Sequence, residues 1–304
     1  MSIQVNNLTK IFGEQKAVDT ISFEIHPGNI VGFLGPNGAG KSTTMKMLTT
    51  FIPPSSGTAT VCGFDVEKDA MEVRRNVGYL PEKNPLYYDM YVREFLNFTA
   101  DVHQLGNLKK SRVDEMISIT GLEKEVKKKI GSLSKGYKQR VGLAQAMIHQ
   151  PKVLILDEPT SGLDPNQIVE IRDLILDIGK ERTVLLSTHI MQEVQAMCNR
   201  VIIINNGKIV ADDLIENIHS ANTKLISLIV EFDKFLAVEK MMVLVNQTNI
   251  KSLGNNRWQI NTEQPESLRK ELMRWSLEND IAILGLQTES QSLEDAFRDL
   301  TKGE

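Results

Sequence analysis

The chain has 304 residues and a formal net charge of −4, with 24% charged and 41% hydrophobic residues. This slightly acidic balance argues against a generally basic nucleic-acid-binding protein, so we expect no nucleic acid among its partners. The length favours one large and one small domain. The apolar runs are far too short to cross a bilayer, so any action at a membrane is expected to go through a partner.

The first region, up to about residue 80, contains short apolar strands separated by turns. Ile21, Phe23 and Ile25 alternate with polar residues, which is typical of a half-buried strand. The run at 30–34 is continuously apolar, as in a buried parallel strand. This region therefore predicts the beginning of an α/β sheet.

A glycine-rich segment follows this strand directly and fits the pattern G-x-x-x-x-G-K-[ST]. Its glycines allow successive backbone N–H groups to point at phosphate oxygens, and a helix beginning near Ser42 adds positive potential. Lys41 is predicted to bind the β- and γ-phosphates, and the Ser42 hydroxyl to ligate Mg²⁺. The predicted nucleotide-binding residues of the loop are Gly35, Pro36, Asn37, Gly38, Ala39, Gly40, Lys41, Ser42 and Thr43.

The second region, about 83–148, is predicted to be helical. Val92, Phe95 and Leu96 recur at helical spacing, and comparable patterns follow further along. The densest charge cluster, 127–129, is three lysines. We interpret it as a solvated helix face, with anionic lipid or nucleic acid as the alternative.

Buried strands return in the third region, about 151–218, and helical stretches separate them. This alternation predicts a mostly parallel sheet covered on both faces. Asp157 and Glu158 end one strand, at the edge where α/β sheets bind their ligands. Asp157 is predicted to hold Mg²⁺, and Glu158 to orient or deprotonate the attacking water. The predicted strands are 153–156, 184–186 and 201–204.

The tail, about 222–304, is predicted to form a small α+β module with a ferredoxin-like order of elements. Leu268, Leu272 and Trp275 share one face of a predicted helix, and no catalytic constellation is present. The predicted elements are strand 225–232, helix 235–245, a hairpin around 254–256, helix 265–278, strand 281–286 and a last helix with Leu293, Phe297 and Leu300 on one face and a Ser292–Asp295 cap.

Four further segments resemble those of a known family, the ATP-binding subunits of ABC transporters. Residues 133–137, Leu-Ser-Lys-Gly-Tyr, are similar to the family's signature, usually L-S-G-G-Q, and lead into a helix. Residues 159–165 resemble the dimer-contacting D-loop, 187–189 the switch histidine and 9–13 the adenine-stacking aromatic loop. The resemblance covers roughly the first 215 residues.

The resemblance implies a P-loop NTPase fold, an ABC nucleotide-binding domain over 1–218 with a helical subdomain at about 83–148, and an accessory domain over 222–304. It implies ATP hydrolysis with ATP and Mg²⁺, a homodimer formed on ATP binding, and a separate integral membrane permease. Such a subunit lies in the cytoplasm, peripheral on the cytoplasmic face of the membrane. The combination of one ATPase domain with a small tail domain resembles the ATPase subunits of ABC-2 type exporters. More narrowly, it resembles the ATP-binding subunit associated with bacterial gliding motility.

The same resemblance implies roles for residues outside the phosphate loop. Phe12 stacks on adenine, and His189 contacts the γ-phosphate and helps to place the water. Ser134 and Gly136 contact the ATP that is held mainly by the partner subunit. Glu158 and His189 are then the catalytic residues.

Four positions depart from the family's pattern. Lys135 and Tyr137 replace the usual Gly and Gln of the signature, and Phe12 replaces the commoner Tyr. Glu82 stands where the family usually has Gln. Two interpretations of Glu82 remain open: a third contact to Mg²⁺ or its water that alters metal affinity, or a loop residue that couples to a partner.

The alternative function is a soluble ABC-type ATPase acting on a non-membrane partner. Ribosome-acting members normally carry two cassettes in one chain, and this chain has one motif set. DNA-repair members carry a long coiled coil between the two nucleotide motifs, whereas the intervening region here is short and lacks sustained heptads. A P-loop kinase or GTPase would not explain the signature or His189.

Overall fold

The computed structural model describes residues 1–217, 226–236, 241, 250–262 and 264–289. The chain divides into two compact units, Met1–Leu214 and Ile215–Glu304.

A six-stranded sheet forms the centre of the first unit, with the strand order β10-β9-β3-β8-β7-β6. Five of its strands run parallel, and β10 pairs antiparallel at one edge. The inner strands are mostly apolar and almost entirely buried, as expected for a sheet with both faces covered. Its strands are β3 (Ile30–Leu34), β6 (Val77–Leu80), β7 (Val153–Asp157), β8 (Thr183–Thr188), β9 (Arg200–Asn205) and β10 (Lys208–Leu214).

A second, antiparallel sheet packs over one face, and the sequence did not predict it. It has the order β2-β1-β4-β5. Its apolar residues share a core with β3 and with Met45 and Leu48 of α1. One face of the parallel sheet is therefore covered by a second sheet. The elements are β1 (Ile3–Phe12), β2 (Gln15–Ile25), β4 (Ser56–Val61), β5 (Phe64–Asp65), α1 (Lys41–Leu48) and the short α2 (Ala70–Asn76).

Helices cover the opposite face. Phe95 and Leu96 pack in one core with Met116 and with Leu154 and Leu186 of the sheet. The predicted helical region at 83–148 contains three α-helices. Its first residues, 83–91, are not helical, and the stretch between the last two helices is not α-helical but contains a 3₁₀ turn at Ile130–Ser132. The helices are α3 (Val92–Val102), α4 (Lys109–Ile119), α5 (Lys135–Met147), α6 (Pro165–Gly179) and α7 (Met191–Met197).

The second unit contains a four-stranded antiparallel sheet in the order β12-β13-β11-β14. In chain order this is 2-3-1-4, which agrees with the predicted ferredoxin-like arrangement. Leu268 and Leu272 are buried against it, as their shared face predicted. Most of the predicted helix 235–245, and the last helix with Leu293, Phe297, Leu300 and its Ser292–Asp295 cap, lie outside the described residues. The elements are β11 (Ile226–Phe232), β12 (Ile250–Gly254), β13 (Arg257–Thr262), α8 (Pro265–Glu278) and β14 (Ile283–Glu289).

Among the described residues, no helix combines the length and the apolar character that a membrane crossing requires.

Two histidines stack where the helical region meets the parallel sheet. The rings of His103 and His149 lie parallel with their centroids 3.9 Å apart. His149 Nε2 lies 3.0 Å from the backbone oxygen of Val77, whereas its Nδ1 is buried without a hydrogen-bond partner. Burial, His103 and Arg112 lower the pKa of His149 to about 4, with the hydrogen bond to Val77 opposing them. Burial also lowers the pKa of His103. Both rings are therefore neutral at pH 7.

The stacked pair predicts a loss of stability in weak acid. A histidine whose pKa is lowered by folding contributes its full stability above its unfolded pKa of 6.5, and this stability is lost as the pH falls towards 4. For the partly exposed His149 we expect a contribution of about 2 kcal/mol. Urea unfolding should therefore show a smaller loss between pH 6.5 and 4.5 in His149→Gln than in wild type. The exposed His26→Gln variant is the control, and an unchanged pH profile in His149→Gln would contradict the prediction.

Candidate nucleotide-binding site

The phosphate loop begins where β3 ends, and close packing requires glycine at two of its positions. A Cβ on Gly35 would lie 2.4 Å from the backbone oxygen of Ile204. A Cβ on Gly40 would lie 2.5 Å from the oxygen of Ala17, and the φ of Gly40 is +110°. Both contacts are to backbone, which cannot move aside. The loop is thereby held against β9 and β2, and α1 begins at Lys41 with no side-chain cap on its first amides.

Lys41 is 5% exposed, and its ammonium is held by the loop itself. Nζ donates hydrogen bonds to the backbone oxygens of Gly35 at 2.7 Å and Pro36 at 3.1 Å. Glu158 Oε1 lies 3.7 Å from the same nitrogen. Burial lowers the pKa of Lys41, while the carboxylates of Glu158, Asp157 and Glu82 oppose that shift. The lysine thus has acceptors that a phosphate can replace.

Ser42, at the start of α1, meets Asp157 at the carboxyl end of β7. Ser42 Oγ donates to Asp157 Oδ1 at 3.0 Å, and Ser187 Oγ donates to the same oxygen at 2.5 Å. The parallel register of β7 and β8 sets Asp157 beside Ser187. A carboxylate and a hydroxyl at one point are the hard oxygen ligands that Mg²⁺ prefers, so these residues fit the predicted metal.

Glu158 and His189 form a pair on the other side of Lys41. His189 Nδ1 lies 2.9 Å and 3.0 Å from the two carboxylate oxygens of Glu158. Glu158 adopts a φ of +51°, and its N–H donates to the backbone oxygen of Ser187 at 3.2 Å. This left-handed conformation turns the chain sharply after β7. The turn places the Glu158 carboxylate between an ammonium and an imidazole.

These residues border one cavity of about 350 Å³. Six predicted loop residues line it, together with Glu82, Glu158 and His189, whereas Asp157 is buried behind Ser42. Glu82 is exposed at the rim. Sequence reasoning missed two lining residues, Ala17 and Ser161, as well as Ser187, which binds Asp157. Ser187 had a usable signal, because it lies in the segment 187–189 that resembles the family's switch histidine. The lining residues are Ala17, Asn37, Gly38, Gly40, Lys41, Ser42, Thr43, Glu82, Glu158, Ser161 and His189.

Besides Asp157 and the loop residues Gly35, Pro36 and Ala39, three predicted residues from other segments do not line this cavity. Phe12 is 50% exposed near the β1–β2 turn, with Lys10 Nζ 5.2 Å from its ring centroid. Ser134 is the N-cap of α5, and its Oγ accepts a hydrogen bond from the N–H of Tyr137 at 3.4 Å. Gly136 is buried against Gln167, where a Cβ would lie 2.7 Å from the Gln167 carboxamide carbon. One copy of the chain therefore does not bring Ser134 and Gly136 to its own phosphate loop.

The sequence model described as ABC transporter matches residues 18–161. The chain is also 36% identical over 304 residues to the bacitracin transport ATP-binding protein BcrA of Bacillus licheniformis, covering 99% of this chain and 97% of that protein. The chain belongs to the ATP-binding subunits of ABC transporters. The linearmycin resistance ATP-binding protein LnrL of Bacillus subtilis is 32% identical to this ABC subunit, covering 98% of each chain.

Solved structures agree with the family assignment and with the predicted fold. One ATP-binding subunit of an ABC transporter superposes with a TM-score of 0.66 at 28% identity, covering 73% of this chain and 93% of that one. CbiO1 from Clostridium perfringens gives 0.66 at 30% identity, covering 72% and 90%. The predicted ABC nucleotide-binding fold is thereby confirmed. The narrower resemblance to a gliding-motility subunit stays a prediction.

The rim position of Glu82 predicts a change in the Mg²⁺ requirement. Removing one negative charge near the metal ligands should weaken Mg²⁺ binding by roughly 1 kcal/mol at an exposed site. We expect Glu82→Gln to raise the Mg²⁺ concentration for half-maximal ATPase activity about fivefold. Glu67→Gln, at an exposed position that is not part of the cavity lining, is the control. An identical Mg²⁺ titration for both variants would leave Glu82 as a loop residue only.

Proposed function

We propose that this subunit hydrolyses ATP and thereby powers an exporter whose membrane-spanning part is a separate permease. The observation that carries the proposal is the convergence of Lys41, Glu158 and His189 on one cavity whose floor is the Ser42–Asp157 pair. A phosphate-binding loop alone supports binding. The added carboxylate–imidazole pair supports catalysis.

Nucleotide binding follows from the loop. The N–H groups at the start of α1 and the Lys41 ammonium bind phosphate oxygens, with Lys41 exchanging its backbone acceptors for phosphate. Ser42 and Asp157 would hold Mg²⁺, with Glu82 at the rim as a third ligand, and the ion would neutralise negative charge on the phosphates. Phe12 provides the exposed aromatic face for adenine stacking.

Glu158 acts on the attacking water. Its carboxylate accepts a hydrogen bond from the water and takes its proton as the water oxygen bonds to the γ-phosphorus and the bond from that phosphorus to the ADP oxygen breaks. His189 orients this carboxylate through Nδ1, which leaves Nε2 for the γ-phosphate. Because Lys41 lies 3.7 Å from Glu158, its movement towards phosphate also releases the carboxylate for the water.

The signature residues support a two-copy site. Ser134 and Gly136 lie at the N-terminal end of the 13-residue α5, where free amides attract phosphate, yet outside their own cavity. A second copy placed head to tail brings them to the ATP of its partner. The cassette MJ0796, which shares the fold at a TM-score of 0.64 and 23% identity, has a dimeric structure, and this supports the pairing of two copies.

An exposed aromatic surface at 84–90 suits a permease segment. Tyr87 and Tyr88 are more than half exposed, whereas Met90 is partly buried against the helical core. Tyr87 contacts Phe98 edge-on, and Lys138 Nζ lies 5.2 Å from the Tyr88 ring centroid. Rings held in this way give a docking partner a preformed apolar surface. Two relatives, named for bacitracin transport and linearmycin resistance, support export and a position on the cytoplasmic face of the membrane.

The alternative, a soluble ABC-type ATPase on a non-membrane partner, makes a different prediction for purification. Co-purification with a permease favours the transporter, and co-purification with ribosomes or DNA favours the alternative.

For the Glu158→Gln variant we predict a dimer that forms on ATP binding and persists. Loss of the proton acceptor should block hydrolysis, so the closed dimer should accumulate with Mg-ATP. We expect light scattering to change from monomer to dimer on addition of Mg-ATP, and the ATPase rate to fall by at least about 100-fold.

Lys41→Ala in the same Glu158→Gln background is the matched control, because it removes a phosphate contact while keeping the blocked base. This double variant should stay monomeric. Equal dimerisation with and without nucleotide in Glu158→Gln would contradict the proposal.

A further inference from the structure

A buried carboxylate outside the cavity connects two segments of the catalytic site. Glu193 lies on α7 and is 6% exposed. None of the cations in the described part of the chain forms an ion pair with it. Instead its two oxygens each accept a hydrogen bond from a threonine hydroxyl. Thr160 donates to Oε1, and Thr188 donates to Oε2 at 2.6 Å.

The two threonines belong to different parts of the site. Thr188 ends β8 and directly precedes His189, and its Oγ also accepts a hydrogen bond from the N–H of Ile190 at 3.1 Å. Thr160 lies two residues after Glu158 and directly precedes Ser161, which lines the cavity. Both threonines are almost completely buried. A single carboxylate therefore connects the segment before His189 to the segment after Glu158.

Stability alone does not account for a glutamate at this position. A carboxylate without a paired cation is costly to bury, and an apolar side chain of similar volume avoids that cost. Two hydroxyl donors compensate the negative charge of Glu193, and both belong to the segments that carry the catalytic pair. The carboxylate therefore connects those segments through its two hydrogen bonds.

We propose that Glu193 is a positioning residue that couples the segment Thr160–Leu163 to His189. When this segment moves, the Thr160–Glu193–Thr188 hydrogen bonds carry the displacement to the residue before the imidazole. The orientation of His189 towards Glu158 then depends on the conformation of residues 160–163. The inference rests on the proposed function, because it takes Glu158 and His189 as the catalytic pair.

Valine variants test the coupling with little change in shape. Thr160→Val and Thr188→Val each remove one donor, and Thr120→Val removes a buried hydroxyl bonded within α4, as a matched control. Since either loss interrupts the connection, we expect each single variant and the double variant to lower kcat by a similar factor of about 10, with KM for ATP changed less than about twofold. Thr120→Val should keep the wild-type kcat.

Hydrogen exchange measures the coupling without catalysis. In Thr188→Val, the amides of Ser161 and Leu163, which bond to Glu158 and Thr160, should exchange faster. In Thr160→Val, the peptide containing residues 189–190 should exchange faster. Each effect lies on the opposite side of Glu193 from its substitution. Faster exchange only near the substitution, with additive losses of kcat, would overturn the inference.

The Glu193→Gln variant tests whether one remaining acceptor partly restores kcat. Glu193→Gln retains the volume and one acceptor, so its kcat should lie between those of wild type and Glu193→Ala, which should match the double valine variant. If Glu193→Ala does not fold, the valine variants still decide. A wild-type chain that binds but does not hydrolyse ATP would contradict the proposed function, and the exchange pattern would still test the coupling.

Discussion

The parallel register of β3, β8 and β7 is the constraint on which the rest of the site depends. Leu34 pairs with Thr188, and Asp157 pairs with Ser187, so the three strands end at one edge of the sheet. The residues that follow these strands therefore begin at the same edge: the phosphate loop, Glu158 and His189. This edge brings together the Lys41 ammonium, the Glu158 carboxylate and the His189 imidazole, with Asp157 behind Ser42. The chemistry follows from strand order and length.

This arrangement concentrates buried charge, and each charge is compensated in a different way. Asp157 accepts from two hydroxyls, Glu158 lies between Lys41 and His189, and Lys41 donates to loop carbonyls. Because these partners are protein groups that nucleotide or metal can replace, binding exchanges one set of partners for another and does not expose an unpaired charge. Glu193 differs, because both of its partners are buried hydroxyls away from the cavity. It can therefore keep its hydrogen bonds while the residues around the cavity exchange theirs.

The sequence predicted the elements whose signal is local, and it failed where contacts join distant segments. The strand, glycine loop and helix at 30–48 are adjacent in the chain, so residue type and spacing were sufficient to predict them. The antiparallel sheet was missed because β4 pairs with β1 across some fifty residues, and alternation within a strand does not specify its partner. Likewise, Ala17 and Ser161 line the cavity only because tertiary packing brings them there. The bonds of Lys41 to its own loop carbonyls also carry no sequence signal.

The surroundings of α6 extend the connection from His189 towards the signature. The N-cap of α6, Asp164, directly follows the segment Thr160–Leu163, and its carboxylate accepts from the N–H of Gln167 at 3.0 Å. Gln167 in turn packs on Gly136, and Lys135 Nζ lies so close to Gly162 that a Cβ there would be 2.1 Å away. Lys135, which stands where the family usually has glycine, thus contacts the same segment, Thr160–Leu163, to which Glu193 is bonded through Thr160. A displacement at the start of α5 reaches residues 160–163 through these contacts, and Glu193 connects those residues to Thr188, the residue before His189. If the valine variants separate the two segments, a subunit that docks correctly on its partner's ATP would still orient its own imidazole poorly.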